Sequence, residues 1–300
     1  MNPRAKQTTA AQWVAGARPR TLPAAVAPVV AGSGLAFFAG GFRWPAALLA
    51  LVVSLALQVG VNYANDYSDG IRGADTHRVG PMRLVGSGLA SPSAVKRAAL
   101  ASFGVASVAG LLLVILTRHW WLLAVGVVCV LAAWYYTGGR RPYGYRGLGE
   151  VFVFVFFGLV AVGGTAYVQL GRISPAIGLT GIGIGALACA ILVANNLRDI
   201  AGDSRVGKLT LATRLGAART RGLYAILAGL AAAMIIAVAG LTSAWALLGL
   251  VGLLLLIPAL RIVLSGGQGA ALVAVLKTTG LAELASAVGL AFGLVLATVV

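Results

Sequence analysis

Nine apolar runs, each near the length of a bilayer core, follow one another along the 300 residues. They fall at 21–39, 45–66, 95–117, 119–137, 150–170, 175–198, 222–241, 243–264 and 280–299. The runs are continuous rather than alternating, so they predict helices, not barrel strands. Short gaps after Arg118 and around Ser243 predict tight hairpins. Two polar stretches break the pattern more deeply, at 62–88 and at 195–214, and the chain's acids gather there.

Composition supports the membrane reading: 60% of the residues are hydrophobic and 10% are charged, whereas a soluble domain carries about a quarter charged residues. The expected fold is an all-α membrane protein of nine transmembrane helices. Residues 1–20 form an N-terminal tail and 21–300 a single membrane domain. A net charge of +16 would suggest nucleic acid in a soluble chain, but here the cations sort by membrane side. Twenty of the 23 Lys and Arg lie in the tail and in alternate connections, and only Arg43, Arg118 and Arg172 lie opposite. The positive-inside rule then puts the N-terminus in the cytoplasm, the C-terminus outside, and the acidic clusters, with Glu150 and Glu283, at cytoplasmic helix ends. No nucleic-acid partner is expected. Nor is a removable signal peptide, the first helix serving as its own signal. Cys129 and Cys189 fall within apolar runs without motif spacing and read as small apolar residues.

Five of the seven acidic residues lie in two Asn/Asp clusters. Asn62, Asp66 and Asp69 can share one helix face, as can Asn195, Asp199 and Asp203. Two carboxylate-bearing helix ends facing each other suit Mg²⁺, which takes one or two carboxylates together with substrate phosphate oxygens. Scattered solubilising charges would not gather this way. Both clusters are followed by Arg-Val-Gly (Arg78 to Gly80 and Arg205 to Gly207), a weak internal repeat that fits two four-helix halves and a ninth helix.

The loops supply the matching cations. Arg72, Arg78 and Arg83 lie in a glycine-rich segment, and Arg205 and Lys208 in its counterpart, where glycines let amides approach phosphate and Arg offers a planar fork. Topology signalling and anionic-lipid contact are the competing explanation for each of these five. Between the fourth and fifth runs, Trp134 to Glu150 holds four tyrosines and three arginines. Interfacial anchoring explains them as well as a platform for a flat anionic aromatic does. The entry segment Arg18-Pro-Arg-Thr-Leu-Pro23 reads as an interfacial anchor. His119 reads as interfacial and His77 as a minor candidate for proton transfer. A transporter using charged groups within the bundle is the reading from another class.

Read together, these segments resemble the UbiA superfamily of intramembrane prenyltransferases, and within it the 1,4-dihydroxy-2-naphthoate prenyltransferases of menaquinone synthesis. The resemblance rests on Asn65-Asp-Tyr-Ser-Asp69 with Gly73-Ala-Asp75, Gly80-Pro-Met-Arg-Leu-Val85, Tyr136-Thr-Gly-Gly139 and Tyr145-Arg-Gly-Leu-Gly-Glu150. Asn195-Asn-Leu-Arg-Asp199 with Asp203 and Gly207 to Gly216 complete it. One departure is the spacing of Asp75, six residues after Asp69 where four is common in the superfamily. The resemblance implies that the nine helices are bundled around a central cavity, with Mg²⁺ on Asp66, Asp69, Asp199 and Asp203 and with Asp75 a further candidate. Asn62, Asn65, Asn195, Arg72, Arg78, Arg83, Arg205 and Lys208 would hold the diphosphate of a polyprenyl diphosphate. Tyr136, Arg141, Tyr143, Tyr145 and Glu150 would bind 1,4-dihydroxy-2-naphthoate. The implied activity is prenyl transfer with loss of CO₂ in the cell membrane, the site facing the cytoplasm. Within the superfamily 4-hydroxybenzoate, homogentisate or a phosphoribose remain alternative acceptors.

Overall fold

Backbone N–H and C=O groups find no water in a bilayer, so an apolar chain of this kind satisfies them inside helices. The computed structural model describes residues 8–73 and 82–300, and every regular element among them is helical. A short helix, α1 (Ala10–Gly16), opens with a reciprocal cap between Thr9 and Gln12. The segment Ala10–Thr21 meets α2 (Pro23–Phe38) at a bend of 51°. Then come α3 (Trp44–Ile71), α4 (Pro92–Thr117) and α5 (Leu122–Tyr135). The next stretch starts as α6 (Gly149–Val153), widens into a π-helical segment (Phe154–Val160) and continues as α7 (Ala161–Leu170). The chain ends with α8 (Pro175–Arg205), α9 (Leu211–Leu241), α10 (Gly249–Leu253), α11 (Leu256–Leu264) and α12 (Ala270–Val299).

Six helical stretches are long and apolar enough to cross a membrane, or up to eight if each bent pair counts as one span. The run expected at 119–137 forms only the 14-residue α5, about 21 Å at 1.5 Å per residue, shorter than a bilayer core of about 30 Å. Helices also run past their apolar stretches. α3 continues to Ile71 and α8 to Arg205, so Asp66, Asp69, Asp199 and Asp203 lie within the last two turns, at the helix ends expected. α9 begins at Leu211 and breaks at Gly216, whose φ of 75° is open to glycine. α12 begins ten residues before its apolar run, which places Glu283 well inside the helix rather than at the expected end. Apolar runs mark what lipid touches; the polar flanks stay helical because their groups find partners, as the Thr279 hydroxyl does at Val275 O and at Tyr224.

α3 pairs with α4 and α8 with α9, and α12 packs on α2 and α8. Between them lies a cavity of about 680 Å³ lined from α2, α3, α4, α5, α7, α8 and α12. Val29, Ala50, Leu113 and Val168 pack at one wall of it. The π-helical segment brings the adjacent Phe156 and Phe157 to the lining. That wall depends on a close approach: a Cβ on Gly158 would lie 2.4 Å from the Gly181 carbonyl oxygen and 2.7 Å from Gly185 Cα on α8. Gly158→Ala is therefore expected to cost about 1–3 kcal/mol through overpacking. Thermal unfolding of the detergent-solubilised protein should show a lower midpoint for Gly158→Ala and none of that loss for Gly229→Ala, where a Cβ meets open space.

Candidate active site

A carboxylate buried at the end of an apolar helix needs donors, and Asp66, wholly buried, takes them from the backbone. The turn after α3 folds back so that Leu84 N–H and Val85 N–H donate to its two oxygens at 2.7 and 3.0 Å. One helical turn earlier Asn62 donates to Ala17 O (2.8 Å) and Thr21 Oγ1 (3.0 Å), which ties α3 to the elbow between α1 and α2. Asn65 Oδ1 accepts the Thr137 hydroxyl at 2.7 Å. Arg72, at the end of α3, donates to Thr137 O (2.6 Å) and Gly139 O (2.5 Å). The α3 cluster and the tyrosine-rich loop are thereby held together.

Asp69 faces that loop. It accepts the Tyr145 hydroxyl at 2.6 Å and lies 3.4 Å from the Arg83 guanidinium. Burial, and next the Asp69 carboxylate, push the Tyr145 hydroxyl above its ordinary range, so it stays protonated and donates. Arg72 and Lys208 lie over the Tyr145 ring, 5.6 and 5.0 Å from its centroid, and Lys208 Nζ is 3.6 Å from Asp203 Oδ1. Tyr145 thus bridges the two acidic clusters, and Leu209 N–H on its carbonyl (3.0 Å) fastens the second polar loop to it. Tyr143 stacks on Phe152 at 4.0 Å and meets Tyr136 edge-on at 5.5 Å; both tyrosines line the cavity. Burial raises the Tyr143 hydroxyl as well. Glu150 accepts from Asn196 at 2.9 Å through Oε1, and its Oε2 is buried without a hydrogen-bond partner among the described residues.

On α8, Arg198 grips Asp199 with two bonds of 2.7 and 2.6 Å and reaches Asn195 at 2.9 Å. Arg198 and Asn195 line the cavity with Asn62, Asn65, Asp69, Arg83, Tyr136 and Lys208. Arg205 is exposed and bonds to Ala201 O of its own helix, and Arg141 is exposed away from the cavity lining. Asp75, Arg78 and His77 lie outside the described residues. Among the described residues no three His, Cys, Asp or Glu side chains converge as a ready metal cluster. The donors are nevertheless hard oxygens in ones and twos, which fits Mg²⁺ completed by phosphate oxygens.

Several lining residues escaped the sequence reading. Arg198 stands within the second Asn/Asp cluster, three residues after Asn195, and that spacing was its signal. Arg18 and Arg20, expected to be interfacial anchors, line the cavity instead, because the elbow turns them toward α3 and α12. Gln58, Thr137 and Lys277 join them with no local signal.

Of the described aspartates only Asp69 lines the cavity; Asp66, Asp199 and Asp203 stand behind the lining. A membrane helical bundle whose cavity is apolar within and edged by a carboxylate, amides and cations defines a protein that takes up an amphiphile with an anionic head. Residues 25–276 match the UbiA prenyltransferase family, and the chain belongs to that family. It is 54% identical to the 1,4-dihydroxy-2-naphthoate octaprenyltransferase of Mycobacterium tuberculosis over 288 residues, 94% of this chain and 98% of that one. Its likeness to the enzyme of the same description from Escherichia coli is 41% over 72% of each chain. The fold is shared with the apo structure of a UbiA homolog from Aeropyrum pernix K1 (TM-score 0.69, 17% identity, 91% of this chain and 97% of that one). It is shared too with a UbiA homolog from Archaeoglobus fulgidus bound to DMAPP and Mg²⁺ (TM-score 0.62, 13% identity, 91% and 98%).

Charge-assisted bonds to a buried carboxylate contribute about 1.5–3 kcal/mol. Asp66→Asn keeps the size but loses one acceptor, so the Leu84 and Val85 amides should exchange with solvent about 10- to 100-fold faster. Hydrogen exchange followed by mass spectrometry reads this directly, and unchanged protection of the 82–90 turn would refute the anchoring role.

Proposed function

We propose that this chain transfers a polyprenyl group from polyprenyl diphosphate to 1,4-dihydroxy-2-naphthoate, releasing diphosphate and CO₂ and giving demethylmenaquinol for menaquinone (vitamin K2) synthesis. The observation that carries the reading is the 54% identity across 94% of the chain to a protein of that activity. The geometry supports it. Arg83 and Lys208 stand beside the acids at the mouth of the cavity, able to neutralise a diphosphate head while the apolar cavity receives the prenyl chain. Tyr136, Tyr143 and Phe152 offer a flat aromatic wall to the naphthoate ring.

The allylic C–O bond breaks with both electrons passing to the diphosphate. The ring carbon bearing the carboxylate attacks the allylic carbon, and loss of CO₂ returns the electron pair that restores aromaticity. Asp66, Asp69, Asp199 and Asp203 would hold Mg²⁺, which would supply charge neutralisation of the leaving diphosphate. The residues of the chain hold the head in place through Asn62, Asn65 and Asn195, cradle it with Arg72, Arg83, Arg198 and Lys208, and keep water from the cation with the apolar lining. Asp75 and Arg78, outside the described residues, and Arg205 at the exposed end of α8 are further candidates for the head on this reading.

We place this chemistry in a nine-span bundle of the cell membrane, with α5 as the short span and the mouth on the cytoplasmic side. The cation sorting supports that orientation. Arg72, Arg83, Lys208 and Arg214 gather around the tyrosine loop, whereas Arg43 lies by Gln169 at the other end.

The test is incubation of the solubilised protein with radiolabelled polyprenyl diphosphate and 1,4-dihydroxy-2-naphthoate, with Mg²⁺ or with chelator. A lipid-soluble naphthoquinol with matching CO₂ release is expected only with Mg²⁺. Asp69→Ala and Asp199→Ala should insert normally and lose about 10²–10³-fold or more in turnover. Near-normal turnover in either variant would remove the metal role assigned here.

A further inference from the structure

The cations that line the cavity divide into two groups. Arg83, Arg198 and Lys208 each pair with an aspartate: Asp69, Asp199 and Asp203. Arg20 and Lys277 line the same cavity and make no ion pair among the described residues. They come from elements in contact: a Cβ on Gly280, one turn beyond Lys277 on α12, would lie 3.7 Å from Arg20 O in the elbow.

The elbow is built with care. Arg18 adopts a left-handed backbone conformation, φ 55°, an uncommon state for a residue with a side chain. The Thr21 hydroxyl secures it by donating to Arg18 O at 2.9 Å. Because that proton is committed, Thr21 Oγ1 can only accept from its other neighbours. It does so from Asn62 at 3.0 Å and from Gln58 Nε2 at 3.1 Å. Gln58 Nε2 also reaches Asn62 Oδ1 at 3.4 Å, so the network fixes which end of the Gln58 amide faces which way. Its other end, Oε1, is buried without a donor among the described residues, in a residue that is 8% exposed and lines the cavity.

A buried amide oxygen of this kind calls for a hydroxyl or N–H. Ionised diphosphate oxygens only accept, and a prenyl chain does neither, so the donor substrate cannot satisfy it. An aromatic acceptor with a carboxylate and a hydroxyl on adjacent ring carbons can satisfy both the oxygen and the unpaired cations. We propose that Gln58, Arg20 and Lys277 form the subsite that recognises the hydroxy-carboxylate edge of the acceptor, Gln58 Oε1 accepting from the hydroxyl while Arg20 and Lys277 take the carboxylate. This rests on the prenyl-transfer reading above for the acceptor's identity.

The test is direct binding, which needs no turnover: fluorescence titration of the solubilised protein with 1-hydroxy-2-naphthoate, 2-naphthoate and 1-naphthol. Lys277→Gln should weaken the two carboxylates about tenfold and leave 1-naphthol within about twofold. Gln58→Met should weaken the two hydroxylated compounds and spare 2-naphthoate. Lys277 is exposed at the rim, so its variant stands as a test even where Gln58→Met disturbs the elbow. Unchanged affinities, equal losses for all three compounds, or a rise confined to the KM for polyprenyl diphosphate would each overturn the assignment. Failure of wild-type turnover with 1,4-dihydroxy-2-naphthoate would instead count against the proposed reaction.

Discussion

Carboxylates at the ends of long apolar helices are tolerated only where their oxygens find donors, and the architecture of the mouth follows from that requirement. Asp66 draws the 82–90 turn back over α3 by capturing two consecutive amides. Asp69 then fixes the tyrosine loop through the Tyr145 hydroxyl, and Lys208 joins that ring to Asp203 on the other hairpin. These polar contacts therefore place two helix ends, distant in sequence, around one cavity.

Below the mouth the requirement reverses. The lining becomes Val53, Leu57, Phe156, Phe157 and Val160, side chains that offer nothing to a charge and much to a hydrocarbon chain. An amphiphile can enter such a site in one direction only. The same apolar wall weakens competition from water for a reactive carbocation, while the low dielectric strengthens the attraction between the paired cations and an anionic head. Close helix packing at Gly158 keeps the phenylalanine wall in position.

Much of this was legible in the sequence. Apolar runs located the helical segments, because lipid demands long uninterrupted stretches, and the i, i+4 spacing of Asn62 with Asp66 and of Asn195 with Asp199 marked the polar helix ends. Helix limits were less legible: α8 and α12 extend through polar residues that tertiary partners satisfy, as Thr279 shows. The tyrosine loop carried two equal readings because both interface and platform favour the same residues. Tyr145, bonded to Asp69, and Tyr136 and Tyr143, facing the cavity, are committed to the site in a way no local pattern encodes. The elbow was the deepest omission. Arg20, Gln58 and Lys277 lie on three elements, and the first of them, exposed, lines the cavity from beside the 51° bend.

The central claim is that the α3 and α8 clusters act as one diphosphate-binding mouth. The most direct measurement is Mn²⁺ uptake, read by electron paramagnetic resonance, with a non-reacting polyprenyl thiodiphosphate present. The account predicts strong Mn²⁺ binding that depends on the thiodiphosphate and is lost in both Asp69→Asn and Asp203→Asn. Binding that survives in either variant, or that is indifferent to the thiodiphosphate, would contradict it.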